Sequence, residues 1–285
     1  MTTYAVTGAT GQLGRLAVDS LLDRGVPGHQ VVAIVRDPEK AKPLADAGVE
    51  VRVADYDQPE TLGAALAGVD RLLLISGNAV GRRARQHKNV IDAARSAGVS
   101  RIVYTSIAKA ETNTMPLGDE HRATEELLGE AGIPAVIILR NSWYVENYTD
   151  QVPQFLATGS VVGATGGARV AAAPRSDYAE AAAAALVDDV DSAVYELGGP
   201  AVTVADLASV IGEVLDRHLP YQEVSLEEYR SGLLAAGLDE GTADFVTALE
   251  RGTARGELDV DAADLERLLG RPATDTRTAV RALVG

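Results

Sequence analysis

The sequence of 285 residues contains no cysteine, which excludes disulfide bonds, thiolate nucleophiles and zinc sites built on thiolates. It also lacks long apolar runs, since none approaches the roughly 20 residues needed to span a bilayer. Nothing at the N-terminus resembles a signal peptide, because the first apolar run belongs to a strand. We therefore expect a cytoplasmic protein that has no membrane partner.

Positive charge and aromatic residues are both scarce. The chain has 26 Lys and Arg against 41 Asp and Glu, which gives a net charge of −15. Such an acidic surface argues against nucleic acid as a partner, but it permits an anionic cofactor held by local N–H groups and a few cations. Aromatic residues make up 4% of the chain and include one tryptophan, so any cluster of them is unusual.

A glycine-rich stretch, T-G-A-T-G-Q-L-G at residues 7–14, follows an apolar run and precedes a segment with helical apolar spacing. In a strand–turn–helix unit, Gly8 permits a sharp turn and Gly11 lets a pyrophosphate approach the backbone. Gly14 lets the helix pack close to the strand. Because the N-terminus of a helix attracts phosphate, the stretch predicts a dinucleotide site.

Short apolar runs continue to alternate with helical segments along the first half of the chain. The runs lie at residues 4–6, 30–35, 49–54, 72–75, 102–105 and 133–139. This alternation predicts an α/β fold, a doubly wound parallel Rossmann sheet with right-handed crossovers.

The second half of the chain reads differently. Residues 159–163 and 168–172 predict a hairpin or two short strands, followed by a helix with Ser176 as its N-cap and a strand at 194–197. Helices are expected at 203–215, 226–236, 242–250, 261–269 and 277–283. We expect a Rossmann domain from 1–145 plus 171–197, and a smaller, mainly helical domain from 146–170 plus 198–285.

Arg36 stands just past the second strand, where the adenosine ribose lies in this fold. An acidic residue there would bind the 2′-hydroxyl of NAD, whereas an arginine suits the 2′-phosphate of NADP. Lys40 offers a second cation nearby. NADP(H) is therefore the expected cofactor, although Arg36 as a solvated strand-end charge and Asp37 as a ligand for NAD remain alternatives.

Small polar residues end two further strands of the predicted sheet. Asp55 and Tyr56 close the third strand and are candidates for the adenine pocket, or else turn residues. Residues Ser76, Gly77 and Asn78 follow the fourth strand. Because ligands of open α/β sheets bind at the carboxyl ends of strands, we expect these three to flank the cofactor.

Ser106 follows the fifth strand, but the Tyr-x-x-x-Lys pair that accompanies such a serine in short-chain dehydrogenases is absent. Leu117 occupies the tyrosine position and His121 the lysine position. Carbonyl reduction by the tyrosine mechanism and sugar-nucleotide epimerisation are therefore not expected. Lys109 or His121 could supply a cation near the nicotinamide ribose, and His121 could supply a proton; a surface histidine is the alternative.

The sixth strand ends in R-N-S-W-Y at residues 140–144, which holds the single tryptophan. Trp143 and Tyr144 could stack against a flat aromatic substrate, and Asn141 and Asn147 could hydrogen-bond a carbonyl oxygen. The two aromatic residues could also be core residues that join the two domains.

These stretches resemble the NmrA-like, atypical short-chain dehydrogenases, and within them the bacterial NADPH:quinone oxidoreductases of type 2. The resemblance rests on residues 7–14, 32–37, 72–76, 86–94, 104–106, 119–121 and 140–148. It implies direct hydride transfer from NADPH to a quinone in the cleft between the domains, with no flavin. It implies that the pyrophosphate and 2′-phosphate are held by Gly8, Thr10, Gly11, Gln12, Leu13 and Arg36. It also places near the nicotinamide Ser76, Lys109, His121, Asn141 and Trp143.

Two functions follow from the resemblance. One is an NADPH-dependent enzyme that reduces a quinone-like small molecule, with the proton supplied by His121, Tyr144 or water. The other is a non-catalytic NADP(H)-sensing regulator, because NmrA-like proteins include such regulators. A homodimer remains open.

Overall fold

The computed structural model describes residues 1–188 and 192–285. The strands, in chain order, are β1 (Tyr4–Thr7), β2 (Val31–Val35), β3 (Glu50–Val53), β4 (Arg71–Leu74), β5 (Arg101–Ile107), β6 (Ala135–Asn141), β7 (Val161–Gly163), β8 (Arg169–Val170), β9 (Ala193–Leu197), β10 (Val202–Thr203) and β11 (Tyr221–Glu223). The helices are α1 (Gln12–Asp23), α2 (Lys42–Asp46), α3 (Pro59–Ala65), α4 (Arg83–Ser96), α5 (Gly118–Glu130), α6 (Glu146–Thr149), α7 (Val152–Thr158), α8 (Arg175–Val187), α9 (Val204–Val214), α10 (Leu226–Ala235), α11 (Glu240–Ala254), α12 (Ala263–Leu269) and α13 (Thr276–Val284).

The main sheet has the strand order β3-β2-β1-β4-β5-β6-β9 in the described part of the chain, and every pair in it is parallel. From β1 the chain moves outward to β2 and β3, then returns beside β1 as β4 and proceeds the other way. This reversal opens a crevice at the carboxyl ends of β1 and β4, where doubly wound sheets bind ligands. The predicted fold class is confirmed.

Successive residues of the central strands face opposite sides of the sheet, and both sides are covered. One core packs α1, α2, α8 and α12 against Val6, Ala33, Leu73 and Val103. The other packs α3, α4 and α5 against Ala5, Val32, Leu72 and Ile102. Burial on both faces explains why these strands read as continuous apolar runs in the sequence.

The alanine-rich helix α8 packs directly on α1, and its residues 181–186 are fully buried. It begins one residue before the predicted N-cap, at Arg175. Ser176 therefore lies inside the helix, and the prediction that it caps the helix is wrong. The carboxylate of Glu146 accepts hydrogen bonds from the Arg175 backbone N–H at 2.9 and 3.1 Å and takes the role expected of Ser176.

A third core joins the second half of the chain, and includes Ile107, Met115, Phe155, Leu207 and Val280. The predicted hairpin does not form. Strand β7 pairs in parallel with β11, and β8 pairs antiparallel with β10, so the alternative of two short strands is confirmed. The five predicted C-terminal helices correspond to α9 to α13, whereas β10 and β11 were not predicted. Within the described ranges, no helix combines the length and apolarity needed to cross a membrane.

Candidate active site

A cavity of about 710 Å³ opens along the carboxyl edge of the main sheet. It continues from the turn after β1, past the ends of β2, β3 and β4, to the segments that follow β5 and β6. It brings together every predicted site residue except Lys109, namely Gly8, Thr10, Gly11, Gln12, Leu13, Gly14, Arg36, Asp55, Tyr56, Ser76, Gly77, Asn78, Ser106, His121, Asn141, Trp143 and Tyr144.

The turn after β1 is built from backbone atoms. Gly8 has a φ of +61°, a left-handed conformation that favours glycine, and the Gly11 N–H donates to the Gly8 carbonyl at 2.8 Å. A Cβ on Gly14 would lie 2.2 Å from the Gly8 oxygen, so only glycine permits this close approach of α1. Helix α1 begins without a side-chain cap from the described residues, which leaves its first N–H groups available to phosphate.

The end of the cavity beside β2 is open and positively charged. Arg36 and Lys40 line it with exposed side chains, and Arg36 forms no ion pair with another described residue. Asp55 and Tyr56 face the same end. Asp57, the next residue in the chain, binds Arg82 at 3.2 Å, and both residues line the cavity. This end has the cations that a 2′-phosphate requires.

The turn after β4 is held by side chains. The Gly77 N–H donates to Nε2 of His87 at 3.0 Å, and the Gly77 carbonyl accepts a hydrogen bond from Nε of Arg83. The Ser76 N–H donates to the Thr105 hydroxyl at 2.9 Å. Both backbone groups of Gly77 are therefore hydrogen-bonded to side chains of helix α4 where the turn borders the cavity.

His87 is held in one neutral form by its neighbours. Its Nε2 accepts from Gly77, and its Nδ1 lies 2.9 Å from the hydroxyl oxygen of Thr124. That hydroxyl donates to the Glu120 carbonyl, so Nδ1 carries the proton and donates to Thr124. Burial, together with repulsion from Arg83, lowers the pKa of His87 to about 3.

His121 is a buried, neutral group, and the prediction that it supplies a cation is wrong. Its Nδ1 lies 2.7 Å from the Tyr104 hydroxyl, and Arg83 lies 3.4 Å from its Nε2. Burial, Arg83 and His87 lower the pKa of His121 to about 3, so the ring carries no charge at neutral pH. The alternative of a surface histidine is also wrong, because the residue is 5% exposed.

Ser106 lines the cavity with its hydroxyl engaged by a carboxylate, whereas Lys109 lies outside the cavity lining. The Ser106 hydroxyl donates to Glu125 at 2.6 Å, and the same carboxylate binds Arg140 at 2.6 Å. The ammonium of Lys109 donates to the Gly256 carbonyl at 2.8 Å, outside the cavity lining. The structure therefore does not place Lys109 beside the nicotinamide end, since its side chain ties the segment after β5 to the loop after α11.

The opposite end of the cavity, which we call the acceptor end, is formed by Asn141, Trp143, Tyr144, Asn147 and Arg175. The two aromatic side chains are half-buried, and each packs against a core, Tyr144 against the first and Trp143 against the third. This supports the packing alternative, and stacking on a flat substrate stays a prediction. The Oδ1 atom of Asn141 is buried and has no hydrogen-bond partner among the described residues. An amide donor of a bound ligand would satisfy it.

Three candidate functional residues, Arg83, His87 and Arg175, were not predicted from the sequence. Arg83 and Arg175 both line the cavity, and His87 supports it from below. Each is the first residue of a helix or lies one turn inside it, facing the carboxyl edge of the sheet. Pro174 marked the start of this helix only approximately, because proline is favoured at the first helical position and here lies one residue before it.

The cavity fits a dinucleotide. The glycine turn exposes N–H groups to a pyrophosphate, Arg36 suits a 2′-phosphate, and the orphaned Asn141 oxygen suits a carboxamide N–H₂. Groups of three or more potential metal ligands were not found among residues 1–188 and 192–285.

Comparisons with known proteins agree with this geometry. The profile of the NAD(P)H-binding family matches residues 8–189. Quinone oxidoreductase 2 of Escherichia coli is 43% identical over 97% of this chain and 96% of its own. The crystal structure of NADPH-dependent quinone oxidoreductase from E. coli with NADPH covers 99% of this chain and 100% of that chain, with a TM-score of 0.94 and 42% identity.

Another relative carries a different activity in its name. The crystal structure of Citrobacter sp. triphenylmethane reductase with NADP(H) has a TM-score of 0.92 and 38% identity, and covers 99% of this chain and 100% of that chain. These relatives confirm the predicted resemblance to bacterial type 2 quinone oxidoreductases. The chain therefore belongs to the NAD(P)H-binding family.

Proposed function

We propose that the protein is an NADPH-dependent oxidoreductase that passes a hydride directly to a quinone or a similar flat acceptor. One observation carries this proposal: a single cavity connects the glycine turn and Arg36 to the aromatic wall of Trp143 and Tyr144. Relatives that span the whole chain are named quinone oxidoreductase and triphenylmethane reductase, which supports a flat acceptor. Because these are enzyme names, a non-catalytic sensor is not favoured.

The chain's own residues bind and orient the two reactants. The glycine turn and α1 hold the pyrophosphate, Arg36 holds the 2′-phosphate, and Asp55 with Tyr56 borders the adenine. Ser76, Gly77, Asn78 and Ser106 form the wall beside the nicotinamide. Asn141 accepts from the carboxamide, and Trp143 stacks the acceptor over the ring, so catalysis rests chiefly on proximity and orientation.

The activity is tested by mixing pure protein with NADPH and a benzoquinone while following loss of the reduced cofactor's absorbance. We expect turnover well above the uncatalysed background for at least one quinone. Cofactor binding without acceleration across a series of quinones would contradict the enzyme and support a regulator.

The cofactor preference is tested by Arg36→Ala. Loss of a charge-assisted hydrogen bond to the 2′-phosphate is expected to weaken NADPH binding by about 1.5–3 kcal/mol and to leave NADH binding almost unchanged. Calorimetric titration with both cofactors measures this. Arg24→Ala, in an exposed arginine that follows α1 outside the cavity lining, serves as the control. Equal losses for NADPH and NADH would remove Arg36 from the 2′-phosphate site.

We keep three further proposals from the sequence. The first is the two-domain division into 1–145 plus 171–197 and 146–170 plus 198–285; residues 189–191 lie outside the described residues. Most of the third core comes from the second of these units, whereas α12 packs in the first core. Limited proteolysis tests the division. A cytoplasmic location and a homodimer are tested by cell fractionation and by light scattering.

A further inference from the structure

Arg175 places a guanidinium in the wall of the acceptor end. It is the first residue of α8, its side chain is 12% exposed, and it lines the same cavity as Trp143. Its guanidinium carbon lies 5.0 Å from the centre of the Tyr144 ring, over the ring face. The side chain is thus fixed by stacking on a residue that itself borders the acceptor.

The hydrogen-bonding capacity of Arg175 is largely unused. A guanidinium carries five N–H donors. The Arg175 side chain makes one long hydrogen bond within the described residues, 3.4 Å to Asn147, and lies 4.0 Å from the exposed carboxylate of Asp150. By contrast, Arg140 binds the carboxylates of three glutamates at 2.6–3.2 Å. Arg140 is committed to structure, whereas Arg175 has donors left for a ligand.

The expected reaction creates a negative charge close to this cation. Bound NADPH supplies a hydride, which is two electrons and one proton, and is itself oxidised to NADP⁺. A neutral quinone that gains a hydride becomes the hydroquinone monoanion, with its charge on oxygen. One proton from water then completes the hydroquinone.

Two other side chains of the cavity, His121 and Tyr144, were candidate proton donors, and both are poor acids. His121 is neutral, and its Nδ1 is engaged by Tyr104. Burial raises the pKa of the Tyr144 hydroxyl, which makes it a weaker proton donor. An anion that no neighbouring side chain protonates during hydride transfer requires electrostatic stabilisation, and fixed cations and N–H donors provide it.

We propose that Arg175 is a catalytic residue that binds the acceptor oxygen on which negative charge develops. The proposal rests on the proposed function and specifies its substrate class: flat acceptors that carry an oxygen and become anions when a hydride arrives. Acceptors bearing a further anionic substituent are favoured by the same guanidinium.

The test compares Arg175→Gln and Arg175→Lys with the wild-type protein. Turnover of a benzoquinone is expected to fall about 100-fold in kcat/KM for the glutamine variant, as when one oxyanion donor is removed, and less for lysine, which keeps the charge. Arg267→Gln is the matched control, because Arg267 also stacks on a tyrosine, 4.8 Å from the Tyr195 ring centre, outside the cavity lining.

A binding measurement separates this inference from the activity itself. Pentafluorophenolate mimics the hydroquinone anion, and pentafluoroanisole is its neutral counterpart. Binding of each compound to the NADP⁺-loaded protein is measured by quenching of the fluorescence of Trp143, the single tryptophan. Arg175→Gln is expected to weaken the phenolate at least tenfold, while the anisole and NADPH bind as in the wild type.

The outcomes are distinguishable. Equal weakening of phenolate, anisole and NADPH would overturn the inference and make Arg175 a support for the wall. Unchanged phenolate binding and unchanged quinone turnover would overturn it as well. If the wild-type protein reduces no quinone but its phenolate binding depends on Arg175, the result contradicts the proposed function and still supports an anion-binding site at Arg175.

Discussion

Two turns meet at the cavity and are built in different ways. The turn after β1 is held by its own backbone, through the left-handed Gly8, the Gly11 hydrogen bond and the space that Gly14 leaves. The turn after β4 is held by side chains of α4, since His87 and Arg83 fix the two backbone groups of Gly77. Both are expected to present rigid backbone to the same cofactor.

The difference teaches what a local pattern can encode. A backbone turn needs glycines at fixed spacing within eight residues, so the sequence displays it openly. The turn after β4 needs side chains that lie six and ten residues further along the chain, those of Arg83 and His87. His87 contacts Thr124, and Arg83 contacts His121, which is itself hydrogen-bonded to Tyr104. No short stretch of sequence contains that arrangement.

Acid provides the largest expected effect, because it protonates two buried histidines, His87 and His121, beside the turn after β4. The pKa of His87 and of His121 is about 3 in the folded protein, against about 6.5 in an unfolded chain. Between these values the unfolded chain binds more protons, so stability is retained above about pH 6.5 and falls as the pH drops toward 3. Each histidine contributes a slope of about 1.4 kcal/mol per pH unit.

Protonation of His87 also puts an N–H against the Gly77 N–H, so the turn after β4 is expected to open first. Denaturant unfolding at several pH values measures the slope, and amide exchange of Gly77 compared with Gly11 locates it. His121→Gln is expected to remove about half of the slope, because His87 keeps its own contribution. His218→Gln, at an exposed position, is expected to leave the slope unchanged. If His121→Gln leaves the slope intact, the buried histidines are not the cause of the acid sensitivity.

Gly14→Ala acts on the other turn alone. Its Cβ would lie 2.2 Å from the Gly8 oxygen and 2.9 Å from the Ala9 Cα, both backbone atoms that cannot rotate away. We expect a loss of about 2–3 kcal/mol in the free energy of unfolding and a large loss of NADPH affinity. Thermal unfolding and calorimetric titration measure these two quantities.

Gly63→Ala is the matched control, since it lies in α3 with nothing within 4 Å of the new Cβ. Its free energy of unfolding is expected to rise by about 0.5–1 kcal/mol, because alanine has a higher helix propensity than glycine. If both substitutions change stability in the same direction, the close approach at Gly14 is not what matters.

Arg83→Met removes the hydrogen bond to the Gly77 carbonyl and leaves the turn after β1 untouched. Loss of a charged hydrogen bond predicts about 1.5–2.5 kcal/mol lower stability and at least tenfold weaker NADPH binding. Arg95→Met, on the same helix but in an exposed pair with Asp92, is expected to cost less than about 1 kcal/mol. Equal effects of the two variants would show that Arg83 does not brace the turn.

The fold and most of the cavity-lining residues could be predicted from the sequence for the same reason. Alternating apolar runs specify the sheet, and the carboxyl ends of its strands specify where a ligand binds, so Asp55, Ser76 and Asn141 were found by position alone. Charge states were not accessible in this way. A cationic His121 was one of the alternatives that the sequence left open, but burial beside Arg83 makes the ring neutral.

Side-chain direction was equally hidden from the sequence. Lys109 has a φ of +52° and turns its ammonium to Gly256, 147 positions later in the chain. Arg175 lies at the cavity with its backbone N–H bound by Glu146 and its guanidinium stacked on Tyr144. Both arrangements depend on contacts between segments that fold together from distant parts of the sequence.

Tyr56→Phe is the smallest change that still separates the two turns. The Tyr56 hydroxyl donates to the Ile75 carbonyl at 3.0 Å, directly before the turn after β4, and its ring borders Gly77. Removing the hydroxyl keeps the ring and is expected to cost about 0.5–1.5 kcal/mol. Amide exchange should rise at residues 76–78 and remain unchanged at residues 8–14. Tyr221→Phe, which loses hydroxyl contacts with Thr165 and Glu223, should alter neither turn. Faster exchange at both turns in Tyr56→Phe would mean that they open as one unit, and the contrast between backbone and side-chain construction would then have no dynamic consequence.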